Sequence, residues 1–244
     1  MDVTGRDLGA VLLDKDGTLF GFQETWAPWA AGLLRGLGRD AAHVARLADA
    51  LGYDIAAERF RRDSPAIAGT LGEQVAILLP LLPDWEAEAL GAHIRRTSAE
   101  VEPVPAADLP ALIAALRARG LGLGVATNDG IGPARRQLEG LGLWDAFDWV
   151  AGYDSGHGAK PGAGMLLAYA EAAGLPPERV AMVGDSTHDL AAARAAGMVA
   201  VGVLTGPAEA ADLAPHADAV LGSVADLPDW IDGGAGHRTP SPRR

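Results

Sequence analysis

The chain has 244 residues and no cysteine, which excludes a disulfide scaffold and thiolate-held metals. Hydrophobic residues make up 49%, enough for one large core or a core with a small second domain, and no apolar run reaches the ~18 residues that a membrane helix needs. A formal net charge of −12 argues against a nucleic-acid partner but not against a small anion, since a metal ion and a few amides can reverse the sign locally.

The start, MDVTGRDLGA, has neither a basic n-region nor an apolar h-region, so the expectation is a cytoplasmic protein without a leader. Val11, Leu12 and Leu13 then form a short apolar run that predicts a buried parallel strand. It stops at two carboxylates, Asp14 and Asp16, and a turn at Gly17. Residues two apart in a strand point to one side, so a strand continuing this far puts both acids on one face. Held that close, they are costly without a cation or a shared proton. A calcium loop counted from Asp14 fails, because Leu19 and Thr25 stand where Gly and Glu are required. A chance acidic turn is the bland alternative.

From Gly21 to about Glu100 the pattern reads as helices only. Val44, Leu47, Ala48 and Leu51 keep helical spacing, and Gly52 supplies a stop. Gln74 to Leu82 is strongly apolar, Pro83 breaks it, and Asp84 is placed to cap a last helix carrying Trp85, Ala89 and Ile94. Arg59, Arg61 and Arg62 are the basic cluster of this insert, either a grip for a substrate carboxylate or a solvated helix end. Trp26 and Trp29 either line a cleft or pack the insert on the core.

After Pro105 strands and helices alternate. A helical stripe of Leu109, Leu112, Ile113 and Leu116 leads to a strand over Leu121 to Ala126, closing on Thr127, Asn128 and Asp129. A helix with Pro133 near its first turn precedes a strand from Phe147 to Ala151, a glycine-rich loop and Lys160-Pro161. Further helices cover Met165 to Ala173 and Leu190 to Ala196, with strands at Val180 to Val183, Val199 to Leu204 and Ala219 to Leu221. This alternation predicts a parallel α/β sheet with right-handed crossovers, which binds ligands outside the carboxyl ends of its strands. Asp14, Thr127 and Asp185 each stand at such an end, and Lys160 stands one loop beyond another. The last stretch, 233–244, has no apolar period and is expected to be a disordered tail.

Asp14-Lys15-Asp16-Gly17-Thr18, Thr127-Asn128, Lys160-Pro161 and Gly184-Asp185-Ser186-Thr187-His188-Asp189 resemble the four motifs of the haloacid dehalogenase superfamily, in the right order. The insert after the first motif resembles the cap of the subfamily that includes phosphoglycolate phosphatases, and 177–206 is the best-matching stretch. The resemblance implies a discontinuous Rossmann-like core over 1–19 and 101–232, with a small all-helical cap over 20–100.

It implies roles as well. Asp14 is the nucleophile that forms an aspartyl-phosphate, and Asp16 the general acid and base. Mg²⁺ lies between the Asp14 carboxylate, the Asp16 backbone carbonyl and Asp185, with Asp189 in an outer role through water or Lys160. Thr127 and the amide of Asn128 bind the phosphoryl oxygens, and Lys160 offsets charge between phosphate and nucleophile. The implied partner is a small phosphorylated metabolite, 2-phosphoglycolate being the best guess, for a monomer or homodimer. A sugar phosphomutase and a silent binding protein on the same fold are the alternatives. Asp16 and Asp185 argue against dehalogenases, and the absence of lysine between Phe20 and Glu100 argues against phosphonate-cleaving relatives.

Overall fold

A computed structural model describes residues 7–233. Six parallel strands form the central sheet: β1 (Ala10–Leu13), β4 (Gly122–Ala126), β5 (Trp149–Ala151), β6 (Val180–Gly184), β7 (Val199–Val203) and β8 (Ala219–Leu221), in the spatial order β5-β4-β1-β6-β7-β8. All six lie where apolar runs predict them. Between and after them run α5 (Leu109–Ala118), α6 (Ile131–Gly140), α7 (Gly164–Ala173), α8 (Thr187–Ala196), the short α9 (Ala210–Leu213) and α10 (Leu227–Ile231).

The strands are apolar on both faces because each face has its own core. Val11, Leu13, Leu123, Val125 and Val183 pack with α5 and α10 on one side. Leu12, Ala126 and Met182 pack with Met165, Tyr169 and Leu190 of α7 and α8 on the other. Burying both faces is what a parallel sheet requires. Strand β1 sits in the middle, its register pairing Leu13 with both Val125 and Val183. The chain leaves β1 for one side of the sheet and later returns to the other, so β1 borders the switch point where a crevice opens.

The insert after β1 contains α1 (Phe22–Leu37), α2 (Ala41–Leu51), α3 (Leu71–Leu78) and α4 (Ala87–Ser98). They share a third cluster of their own, with Leu34, Leu47, Leu78 and Leu90 fully buried. Asp40 caps α2 by accepting from the His43 amide, and Gly52 ends it in the left-handed conformation open to glycine. Thr70 and Glu73 form a reciprocal capping box that starts α3 ahead of the predicted Gln74. Pro80 confines the α-helix to Leu78, and Leu79–Leu81 continues only as a 3₁₀ turn.

Two local expectations are corrected. The insert is helical save for an antiparallel hairpin, β2 (Tyr53–Asp54) and β3 (Arg59–Phe60). Two residues per strand are too few to show alternation. The hairpin is fixed by Asp54 Oδ1, which accepts from the amides of Ala56 and Ala57, and by Phe60, which packs edge-on to Tyr53 and Phe22. Asp84 does not cap α4. That helix starts at Ala87, and Asp84 instead pairs with Arg39. The expected disordered tail, beyond Gly233, lies outside the described residues.

Candidate active site

Strand geometry does not persist past Leu13. The backbone turns at once: the amides of Leu19 and Phe20 both donate to the Lys15 carbonyl, and Gly17 takes φ +90°. Asp14 and Asp16 both line the same crevice. Asp14 points into the crevice toward Lys160, and Asp16 toward the insert. Gly17 is required here on two counts. Its φ strains any side chain, and a Cβ on it would stand 2.2 Å from Asp185 Oδ2.

The three predicted strand-end residues and Lys160 line one crevice. Lys160 Nζ lies 2.5 Å from Asp14 Oδ1, 2.7 Å from the Ala126 carbonyl oxygen and 2.6 Å from Asp189 Oδ1. The last is a charge contact without hydrogen-bond alignment. Asp14, Thr127, Lys160, Asp185 and Asp189 are all buried. One carboxylate oxygen from each of Asp14, Asp185 and Asp189 falls within 4.8 Å of the others. Asp189 thus stands beside the other two acids and contacts Lys160, the partner expected for it. Its Oδ2 accepts from the amide and hydroxyl of Ser186, the reciprocal cap that begins α8.

Asp185 Oδ2 is buried and has no hydrogen-bond partner. Gly17 and Gly206 leave the space around it: a Cβ on Gly206 would come within 1.7 Å of that oxygen. A buried carboxylate oxygen without a donor, beside two more carboxylates, is a fitting place for a hard divalent cation. Thr205 secures the same corner by donating to the Gly17 carbonyl at 2.6 Å.

The electrostatics follow from burial. Asp14 is pushed up to about 7, first by burial, with Lys160 pulling it down and Asp189 pushing it up. Asp185 is raised well above the ordinary carboxylate range by burial, then by Asp14 and Asp189. For Lys160, burial alone would lower the pKa, but Asp14 and Asp189 outweigh it and hold the ammonium above its usual range. Without a cation, Asp14 and Asp185 favour protons.

Thr127 Oγ1 accepts from the Asp129 amide at 3.0 Å, which leaves its own hydrogen free. The Asn128 side chain is used structurally: Nδ2 donates to the Lys160 and Ala68 carbonyls, and Oδ1 accepts from the Lys160 amide. It locks the Lys160 backbone to the β4 loop and the insert to both.

The insert roofs the crevice with Trp26, Trp29, Leu71, Ile94 and Arg95. Both tryptophans line the cleft and also pack edge to face, 5.4 Å between centroids. Arg59, Arg61 and Arg62 do not line it. Arg61 pairs with Asp49, and Arg62 reaches Glu209 and Asp212 on the surface. The cation facing the cleft from the insert is Arg95, which its sequence neighbourhood did not mark out. Lys15, Gln137 and Gly206 also escaped the sequence reading, since their partners are distant in the chain.

The haloacid dehalogenase-like hydrolase family model matches residues 8–197, and the chain belongs to that family. A phosphoglycolate phosphatase of Rhodospirillum rubrum is 35% identical over 201 residues, a match covering 76% of this chain and 83% of the relative. This chain is thus phosphoglycolate phosphatase-like in sequence, and it is a phosphatase. Among solved structures, a haloacid dehalogenase-like family hydrolase from Streptococcus pneumoniae aligns with TM-score 0.66 at 18% identity over 92% of this chain and 99% of that one. A β-phosphoglucomutase from Clostridium difficile aligns at TM-score 0.63 and 16% identity over 93% and 98%. At these identities the two structures show the fold alone. Among the described residues, no helix is long and apolar enough to cross a membrane.

Proposed function

We propose that this protein is a Mg²⁺-dependent phosphatase that cleaves a small phosphate monoester through an aspartyl-phosphate on Asp14, with 2-phosphoglycolate the substrate to test first. The observation that carries the reading is the buried triad of Asp14, Asp185 and Asp189, crossed by Lys160, with one Asp185 oxygen left without a donor. Asp14, Asp185 and the Asp16 backbone carbonyl would hold the cation, with Asp189 beside them. When bound, Mg²⁺ supplies positive charge that offsets the crowded acids and orients a phosphate oxygen.

The residues would do the rest. An Asp14 oxygen attacks phosphorus, the bond to the ester oxygen breaks, and Asp16 gives that oxygen a proton. Asp16 then takes a proton from water, which attacks phosphorus and breaks the bond to Asp14, releasing inorganic phosphate. Thr127 donates its free hydrogen to a phosphoryl oxygen, the Asn128 amide adds a second donor, and Lys160 balances charge on the phosphoryl group as Asp14 adds. Residues 20–100 act as a cap that excludes water, and Arg95 meets a carboxylate on the leaving group.

The test is a phosphatase screen over small phosphate esters, 2-phosphoglycolate included, with and without Mg²⁺ and with Asp14→Asn as blank. Mg²⁺-dependent phosphate release that disappears in folded Asp14→Asn is expected. Cleavage indifferent to chelation, or an Asp14→Asn variant as active as the parent, refutes the reading. Interconversion of sugar phosphate isomers with little phosphate release would instead make the protein a mutase.

A further inference from the structure

Lys15 stands between the two acids of the first motif, and none of the steps above uses it. Its side chain is fully buried, 0% exposed, behind Asp16, Asp129 and Trp26, which line the cleft. Three acceptors surround Nζ: Gln137 Oε1 at 2.5 Å, Asp16 Oδ2 at 2.7 Å and Asp129 Oδ2 at 3.2 Å. The Gln137 contact is a hydrogen bond, and the two carboxylates are charge contacts, Asp129 Oδ2 having no hydrogen-bond partner. The Phe20 and Trp26 rings stand 5.7 and 5.5 Å from the same nitrogen and exclude water from it.

Burying an ammonium is expensive, and an apolar residue of similar volume often stabilises such a site as well or better. Packing alone therefore does not account for a lysine here. Its partners do. Asp16 Oδ2 is taken by Lys15 and Oδ1 by the Trp26 indole, so the carboxylate is held at both ends. Asp129 belongs to the same loop as Thr127 and Asn128, and Gln137 comes from α6, whose first turn follows that loop. Lys15 thus ties Asp16 to the phosphoryl-binding loop.

Resting on the reading that Asp16 is the proton donor, we propose that Lys15 is a positioning residue. It fixes the Asp16 carboxylate in register with the phosphoryl-binding loop, so that the proton arrives at the departing ester oxygen. Such placement matters only when the leaving oxygen needs a proton. An alkoxide does; a nitrophenolate, already a good leaving group, scarcely does.

The experiment compares kcat/KM for an alkyl phosphate and for p-nitrophenyl phosphate, a ratio blind to later hydrolysis of the phospho-enzyme. The variants are Lys15→Met, Asp16→Asn, and Lys15→Met combined with Asp129→Asn, which removes the acid stranded when the ammonium is lost. Asp16→Asn is expected to lose about a hundredfold or more on the alkyl ester and far less on the aryl ester. Lys15→Met and the double variant are expected to follow the same pattern, with the alkyl ester about tenfold more affected than the aryl ester. Equal losses on both esters, or alkyl activity restored in the double variant, would reduce Lys15 to charge balance for Asp129 and overturn the inference while the proposed function stands. An Asp16→Asn variant without leaving-group preference would overturn the inference together with the assignment of the acid.

Discussion

The indole N–H of Trp26, on the first helix of the insert, donates to Asp16 Oδ1 at 2.8 Å. One hydrogen bond thereby links the roof of the cleft to the proposed proton donor. Trp26→Phe keeps the ring and loses the N–H. A hydrogen bond to a charged group contributes about 1.5–3 kcal/mol, and part of that is orientation of Asp16. A roughly tenfold fall in kcat on alkyl esters is expected, with KM little changed and the thermal midpoint lowered by several degrees. Steady-state kinetics beside a melting curve check this, and an unaltered kcat removes Trp26 from any role in orienting the acid.

Asn128 is the knot between the β4 loop, Lys160 and the insert, through bonds of 2.8 to 2.9 Å. Asn128→Ala leaves the Lys160 amide and two carbonyls without these partners. Denaturant unfolding should show a loss of about 1–3 kcal/mol at unchanged m-value. Activity should fall further than stability accounts for, since Lys160 loses its anchor. A variant as stable and active as the parent would show that water replaces the side chain at no cost.

The buried acids make a signed prediction about pH. Unfolded, a carboxyl titrates near 3.9, whereas burial holds Asp14 at about 7 and Asp185 well above its usual range in the metal-free fold. Between these values the folded state binds more protons than the unfolded state. Stability of the metal-free protein should therefore decline as pH rises toward 7, and Asp14→Asn should flatten that slope. Mg²⁺ competes with the same protons, so its gain in melting temperature should be larger at about pH 8 than at about pH 5.5. Calorimetry at both pH values decides the matter; a gain that shrinks with pH contradicts the acid triad as the metal site.

Gly206 touches no substrate in the proposed reaction, yet a Cβ there would overlap Asp185 Oδ2 at 1.7 Å. Gly206→Ala must displace that carboxylate. Titration calorimetry is expected to show Mg²⁺ affinity at least about tenfold weaker, in keeping with the sensitivity of metal sites to the groups that orient their ligands. Parental affinity would mean that Asp185 is not a ligand.

Arg62 and Arg95 separate two kinds of surface arginine. Arg62 pairs with Glu209 and Asp212 in open solvent, where such pairs contribute little. Arg62→Ala should leave KM for 2-phosphoglycolate within about twofold of the parent. Arg95 faces the cleft, and Arg95→Ala should raise KM for 2-phosphoglycolate about tenfold or more while sparing p-nitrophenyl phosphate, which has no carboxylate. Equal effects on both esters would take Arg95 out of carboxylate recognition.

Much of the molecule is legible without coordinates because its signals are local. Each strand of the sheet is a run such as Val11 to Leu13 or Val180 to Val183, apolar on both faces because both faces are covered. The polar residues that end these runs had to meet, since parallel strands present their carboxyl ends on one edge. Hence Asp14, Thr127, Lys160 and Asp185 could be placed together in advance. The hairpin at Tyr53 and Phe60 could not: it owes its existence to an Asp54 cap and to rings brought together by helix packing.

The order of residues alone determined the sheet, the acids at its rim and the family of the chain, through periodicity and strand direction. Folding decided what no spacing encodes. Lys15 is buried against Asp129 and Gln137 as well as its own neighbours, Trp26 of the insert bonds to Asp16, and Arg95 rather than the Arg59 to Arg62 cluster overlooks the cleft. The physical reason is that a buried charge takes its meaning from whatever surrounds it, and part of those surroundings, Asp129 and Gln137 in the case of Lys15, comes from more than a hundred residues away.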